Sequence, residues 1–596
     1  MQGAIEEERL RRLLSSVKRP SRYIGGEWGS GPVKEGDGLI RMCFAFPDLY
    51  DVGMSYLGYQ ILYPLTKSLP FADAERVYTP WPDMEAAMRN SGTPIWALES
   101  KRPVADFDVV GFTLQYELSY TNILTILDLA GIPFRSVDRD DRHPLIVAGG
   151  VGALAPEPIA PFIDAFMVGD GEVLLPELLR TVYETKGMKR TDRLAELAKI
   201  EGVYVPLVHK QGKKIRRRIV EDLDNAFYHT SMIVPNTNIV HDRITVQVFK
   251  GCTRGCRFCQ AGMIDRPVRE RSAESVCAQV KKLLDTTGWE EIGLLSLATC
   301  DWTGLPEAIK AFTPMLAENQ VKLSLPSLRV DAFSVNLAAG LESLRKGGLT
   351  FAPEAGTQRL RDVINKGVTE EAIEAALEET FTHGWDRVKL YFMMGLPTET
   401  DEDLAGILDI CNKAVSIGRH HKRRGDVNAS VAGFVPKAHT PFQWEAQASV
   451  AELRERGRWL KSTLRNRRVS LSYHEPEQTF LEGVFARGDA RLADAIIEAW
   501  KRGARFDGWS EYFNFERWME VFSDLGIDAA AYTGARALDE TLPWDHIDCG
   551  VTKDYLLHER AKAYEAATTK DCRGGCNGCG WQGRTTETKW CPHGKN

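Results

Sequence analysis

The sequence predicts an α/β protein: an N-terminal Rossmann-like parallel-sheet domain, a second parallel-sheet domain at the centre, a mainly helical C-terminal region and a cysteine-rich tail. Three observations carry that prediction. Strand-like apolar runs alternate with helical segments over 39–200 and again over 243–450, as in parallel sheets covered by helices. Beyond 451, segments such as AELRERGRWLKSTLRNRR and LADAIIEAWKRG read as helix. Seven of the twelve cysteines fall in two groups, Cys252, Cys256 and Cys259, then Cys572, Cys576, Cys579 and Cys591. Such grouping reads as metal ligation rather than a disulfide framework.

Composition bounds the possibilities. At 596 residues there is room for about three to five domains. No run of about 18 apolar residues exists, so no membrane span is expected. The charged, helical start MQGAIEEERLRRLL lacks the apolar core of a signal sequence, and a cytoplasmic location is expected. A formal net charge of −7 argues against a strongly basic nucleic-acid binder. Local basic runs at 213–218, 420–426 and 465–468 keep RNA contact as an open partner class.

Taken in order, 1–38 is a helix followed by an arm broken at Pro20, Gly25 and Gly26. The first sheet domain, 39–200, has buried strands at 39–46, 108–114 and 144–153, then strand, acidic glycine turn and helix over 162–182. Ligands in such a fold bind beyond the C-terminal ends of the strands, which here carry Asp48 to Gly53, Gln115 to Tyr120, Gly149 to Gly152 and Gly169 to Glu172. Glycines there admit close backbone approach to a large flat or phosphorylated ligand, or simply make tight turns. Residues 201–242 read as a connector with a small basic hairpin.

In the central domain, 243–450, strands are expected at 244–249, 291–299, 322–328, 348–355, 387–397 and 427–436. The first runs into GCTRGCRFCQAG, which spaces Cys252, Cys256 and Cys259 as C-x3-C-x2-C. Gly251, Gly255 and Gly262 relieve the loop so that the three sulfurs can address one centre. Three ligands leave that centre one short, as sites that admit a substrate do; a zinc knuckle lacking a ligand is the plainer alternative. The other strand ends carry a polar set: Thr299 and Asp301, Ser327 and Arg329, Glu354 and Gln358, and Gly395 to Glu399, including Pro397.

That spacing, with Phe258 before the last cysteine, resembles the cluster motif of the radical S-adenosylmethionine (SAM) enzymes. The resemblance implies a partial (β/α)6 TIM-type barrel and a [4Fe-4S] cluster on Cys252, Cys256 and Cys259, whose open iron is chelated by SAM. It also implies reductive cleavage to a 5'-deoxyadenosyl radical, with a one-electron reductant such as flavodoxin or ferredoxin. Phe258, Thr299, Asp301, Arg329, Glu354, Gly395 and Pro397 are then expected around SAM. The stretch 39–200 resembles the cobalamin-binding domain that precedes the barrel in a large class of these enzymes. Asp48, Tyr50 and Gly53 fall on its D-x-H-x-x-G loop, with tyrosine where cobalt-ligating histidine would stand; Gly149, Gly150 and Gly169 fall on later loops.

The C-terminal region, 451–545, carries at 506–522 an aromatic stretch, FDGWSEYFNFERWMEVF, that reads as packed core or a domain seam. The tail, 546–596, repeats C-x3-C-x2-C at Cys572, Cys576 and Cys579, and Cys591 can complete four ligands. A second metal site, zinc or iron–sulfur, is expected. Together these features predict a cytoplasmic radical SAM enzyme, cobalamin-dependent, acting on an unactivated carbon by methylation or rearrangement. The alternatives are a methylthiotransferase-like enzyme with a second cluster and a non-catalytic, metal-stabilised RNA or ribosome binder. The sequence names no substrate.

Overall fold

The structure is a computed structural model and describes residues 4–210, 212–324, 349–582 and 584. The expected alternation forms. In the N-terminal domain six strands, β1 (Ile40–Phe46), β2 (Ala72–Tyr78), β3 (Val109–Thr113), β4 (Leu145–Gly149), β5 (Ala165–Met167) and β6 (Val203–Tyr204), make one sheet of order β2-β1-β3-β4-β5-β6. Pairing is parallel throughout except that β6 is antiparallel to β5. The order reverses at β1 and β3, the topological switch point that leaves a crevice beyond the strand ends.

Each face of this sheet buries its own core. Leu174, Leu175, Leu178 and Val182 of helix Gly171–Glu184 pack with Tyr59 and Tyr63 on one face. The other face takes helix Tyr120–Leu129 together with Leu492, Ala495 and Ile496 of helix Leu492–Lys501 and Trp518 of helix Phe515–Asp524. The C-terminal helices thus return to the first domain. Its aromatic stretch is a seam: Trp81 packs on Phe506, Trp509 and Tyr512.

The basic run at 213–218 makes no hairpin. Its strand β7 (Ile215–Arg216) pairs in parallel with a tail strand, Ile547–Asp548, and Arg217 is buried beneath Trp581. In the central domain β8 (Ile244–Gln247) continues as β9 (Phe249–Lys250), which pairs with β10 (Arg269–Glu270) across the cysteine loop. Strands β11 (Glu291–Leu295) and β12 (Lys322–Ser324) join β8 in a parallel sheet of order β12-β11-β8. Four more parallel strands, β13 (Leu349–Glu354), β14 (Arg387–Met394), β15 (Asp426–Gly433) and β16 (Val469–Tyr473), form a second array. β16 lies beyond 450; helix Val450–Thr463, started by a Ser449 capping box, is the crossover that brings it in parallel to β15. Their outer faces bury Leu377, Phe381, Ile407 and Leu460 of the flanking helices. Among the described residues no helix is long and apolar enough to cross a membrane.

Candidate functional site

The cysteine loop lies between β9 and helix Gln260–Ile264. Cys259 caps that helix, its Sγ accepting from the Gly262 N–H at 3.3 Å, and Cys252 Sγ accepts from the Arg254 N–H at 3.4 Å. Amide donors aimed at sulfur favour the thiolate, the form that binds metal. Burial foremost, then the adjacent Cys256, pushes the Cys259 thiol up to about 12. A buried thiol disfavoured as a bare anion becomes a ligand once a cation compensates it. Among the described residues no three potential ligands stand close enough to share one ion.

Contacts that spacing alone does not reveal hold the loop in place. Arg257, wholly buried, donates to the carbonyls of Asp362 (3.1 Å), Val363 (2.9 Å) and Ala567 (2.7 Å) and pairs with Glu559 at 3.2 Å. Asn365 donates to the Gly255 carbonyl at 3.0 Å. Phe258 packs with Leu360, Leu396 and Phe434 at the ends of the second array. Helices Gln358–Val363 and Lys553–Tyr564 therefore clamp the loop, and only a basic residue between two cysteines hinted at it.

The residues expected around SAM have varied placements. Glu354 ends β13 with φ +69 and pairs with Lys366 at 3.0 Å, and Lys366 is near enough to draw the Cys259 thiol down. A left-handed, non-glycine residue at a strand end is strain of the kind functional sites hold. At Gly395 and Leu396 the N–H groups are occupied by the Glu399 carboxylate, which pairs in turn with Arg456; Pro397 follows in the same loop. Thr299 is buried, its hydroxyl bonded to Ser296. Asp301 pairs with Arg254 at 2.8 Å and Arg573 at 3.0 Å, tying the loop to the tail. Arg329 and Cys591 lie outside the described residues.

Beside the loop a cavity of about 540 Å³ opens where the C-terminal ends of β1, β3, β4 and β5 face those of β8 and β11. Gly149, Gly150 and Gly169 line it, with Phe44, Tyr56, Gln247 and Ser296, and Gly251 and Ala261 reach it from either side of the cysteines. Two of the glycines are required by the fold itself: at Gly150 (φ +99) a Cβ would meet the Leu114 carbonyl oxygen at 2.7 Å, and at Gly169 (φ +140) the Arg218 oxygen at 2.0 Å. Asp48, Tyr50 and Gly53 do not line the cavity. Asp48 accepts from the Trp509 indole N–H at 3.1 Å, Tyr50 is buried against Tyr78, and Gly53 lies under the Tyr78 ring. Contacts from distant sequence turn that loop inward.

One wall of the cavity is an ion network across the domain boundary. Asp170 pairs with Arg269 at 2.7 Å and Lys250 at 3.3 Å, and Lys250 with Glu172 at 2.7 Å. Burial alone would raise Asp170; Lys250, Arg269 and Arg217 instead hold it below the usual carboxylate range. A depressed folded value contributes stability above the unfolded value, near 3.9, that is lost as pH falls toward the folded one. Thermal midpoints of the wild type should therefore exceed those of Asp170→Asn, by the equivalent of about 3 kcal/mol at neutral pH. The gap should begin to narrow below about pH 4 and shrink further as pH falls toward the folded value.

Comparison with known proteins accords with this geometry. Residues 246–411, which include the three cysteines, match the family model of the radical SAM superfamily, and 58–206 match that of the N-terminal region of radical SAM proteins. The two span over half of the sequence. The chain belongs to the radical SAM superfamily. This radical SAM protein is 26% identical over 408 residues to an uncharacterised protein of Methanocaldococcus jannaschii, covering 68% of this chain and 83% of that one. To the tRNA-2-methylthio-N(6)-dimethylallyladenosine synthase of Aquifex aeolicus it is 24% identical over 203 residues, 32% of this chain and 46% of that one. Its fold overlaps that of the cobalamin-dependent SAM radical enzyme OxsB, solved with aqua-cobalamin and SAM, at 13% identity and a TM-score of 0.45, covering 88% of this chain and 79% of that one.

Proposed function

We propose that this radical SAM enzyme uses cobalamin in the cavity between its two sheet domains to methylate or rearrange a substrate at an unactivated carbon. The observation that carries the reading is the cavity: it joins the switch-point crevice of the first domain to the strand ends beside the cysteine loop. Gln247 supports it, since its buried Oε1 on the cavity wall has no hydrogen-bond partner among the described residues. An orphaned acceptor of that kind asks for a donor, and the amide-fringed rim of a corrin supplies such donors. Cys252, Cys256 and Cys259 would hold the cluster, and Glu354 with Lys366 would meet SAM beside it. The cluster and SAM, when bound, supply the 5'-deoxyadenosyl radical, and an external one-electron donor is needed. The protein's part is to hold reactants in register and keep water out. Cys43, the cysteine of the first domain, is wholly buried in β1, which leaves that domain no loop thiol for a methylthiotransferase-type second cluster.

Hydroxocobalamin mixed with the reconstituted protein and passed through gel filtration should be retained stoichiometrically, read by its visible spectrum. Leu297→Trp, which fills the cavity from a half-exposed position, should abolish retention while leaving the iron content intact. A wild type that retains no corrinoid would refute the cobalamin reading and leave the cluster untouched.

A further inference from the structure

We infer that the second cysteine loop, Cys572–Cys579, holds an iron–sulfur cluster of its own, seated on the back of the loop that carries Cys252, Cys256 and Cys259. Three independent features lead there. The first is docking. The Cys572 N–H donates to the Thr253 carbonyl at 3.0 Å, and the Thr253 hydroxyl donates to Asp571 at 2.9 Å. Arg254 pairs with Asp571 at 2.7 Å, and Arg573 and Arg254 share Asp301. A flexible tail makes no such set of mutually satisfied contacts with one particular loop.

The second feature is the sulfur environment. Cys576 Sγ accepts from the Gly578 N–H at 3.4 Å, two residues on, as Cys252 Sγ does from Arg254. Cys572 Sγ accepts from the Asn577 side-chain amide at 3.5 Å. Amide hydrogen bonds to sulfur set the charge and potential of cysteine-bound clusters.

The third is a buried charge. Arg266 is 3% exposed and lies between the two loops, donating to the carbonyls of Gly262 and Arg254, both at 3.0 Å, and to the Tyr555 hydroxyl at 3.2 Å. Among the described residues no carboxylate pairs with it; its guanidinium lies 5.3 Å from the Tyr555 ring centroid, and Cys579 and Cys572 are near enough to act on its charge. A buried guanidinium without a counter-ion is costly. Thiolates ligating a cluster, which is net anionic, supply that counter-charge.

From the exposed Cys576 and the buried Cys579 of the outer loop the contacts run to Arg266, which donates to the inner loop at the Gly262 and Arg254 carbonyls. That path suits a relay: an external one-electron donor reduces the outer cluster by one electron, which passes to the inner cluster with no bond made or broken. The outer site does not depend on cobalamin; only the relay rests on the radical SAM chemistry.

Iron and sulfide are to be counted after anaerobic reconstitution in the wild type, in Cys572→Ser/Cys576→Ser/Cys579→Ser and in Cys252→Ser/Cys256→Ser/Cys259→Ser. Each triple variant should hold about half the wild-type iron, as for two four-iron clusters, and each should keep a reduced-cluster electron paramagnetic resonance signal. Should the outer variant fold poorly, the inner variant decides, because its remaining iron can only sit on the tail. An iron-free inner variant, an outer variant with full wild-type iron, or one zinc per tail overturns the site. With the site present, stopped-flow reduction by flavodoxin should lose its fast phase in the outer variant; an unchanged trace overturns the relay.

Discussion

Cys256→Ala is expected to abolish SAM cleavage, with 5'-deoxyadenosine and methionine falling to the level of a no-enzyme control. The loop presents three thiols, and a site that already leaves one position open for its substrate has no ligand to spare. Chromatographic quantification of both products after anaerobic reconstitution, with iron counted in the same sample, checks this. Wild-type turnover in that variant would remove the cluster from the mechanism. The cited N–H bonds to sulfur end on Cys252 and Cys259, and the Cys256 carbonyl that accepts from the Cys259 N–H at 3.2 Å is kept in alanine, so the loss belongs to ligation and not to collapse of the loop.

Arg257→Met should damage the same site by another route. The guanidinium satisfies three carbonyls and one carboxylate in a fully buried position, and removing one member of a buried ion pair costs about 3–5 kcal/mol. The denaturation midpoint should fall accordingly, and iron should leak from the loop because its two clamping helices are no longer tied to it. Adding Glu559→Gln, which neutralises a buried carboxylate left with Lys562 and Thr569 as partners, should restore part of the stability. Additive losses in the double variant would mean that the pair is not coupled.

Much of the architecture was legible because periodicity reports burial. β1, β3, β4 and β14 are apolar runs or strict alternations, and the helices that cover them carry caps such as Thr400 and Ser449. The cysteine loop was legible because three thiols at fixed spacing have few uses. What escaped is what depends on partners far away in sequence. Asp301 looks like a strand-end ligand until Arg254 and Arg573 take its carboxylate. Asp48 looks like a loop facing a cofactor until Trp509 draws it inward. The basic run at 213–218 looks like surface, yet Ile547–Asp548 makes it part of a sheet. Strand β16 fell outside the expected domain because its neighbour β15 is separated from it by a long helix. Arg266 carried no signal and Arg257 only that of a basic residue between two cysteines, since a buried arginine is known only from what surrounds it.

Both the second face of the first sheet and the back of the cysteine loop are finished by segments beyond residue 476. A ribosome releases the first domain several hundred residues before the helices that cover it, and the metal-binding loop before the tail that clamps it. Synthesis and assembly therefore run in opposite orders. Until the last segments have docked, the cysteine loop lacks the Thr253–Cys572 contact that backs it.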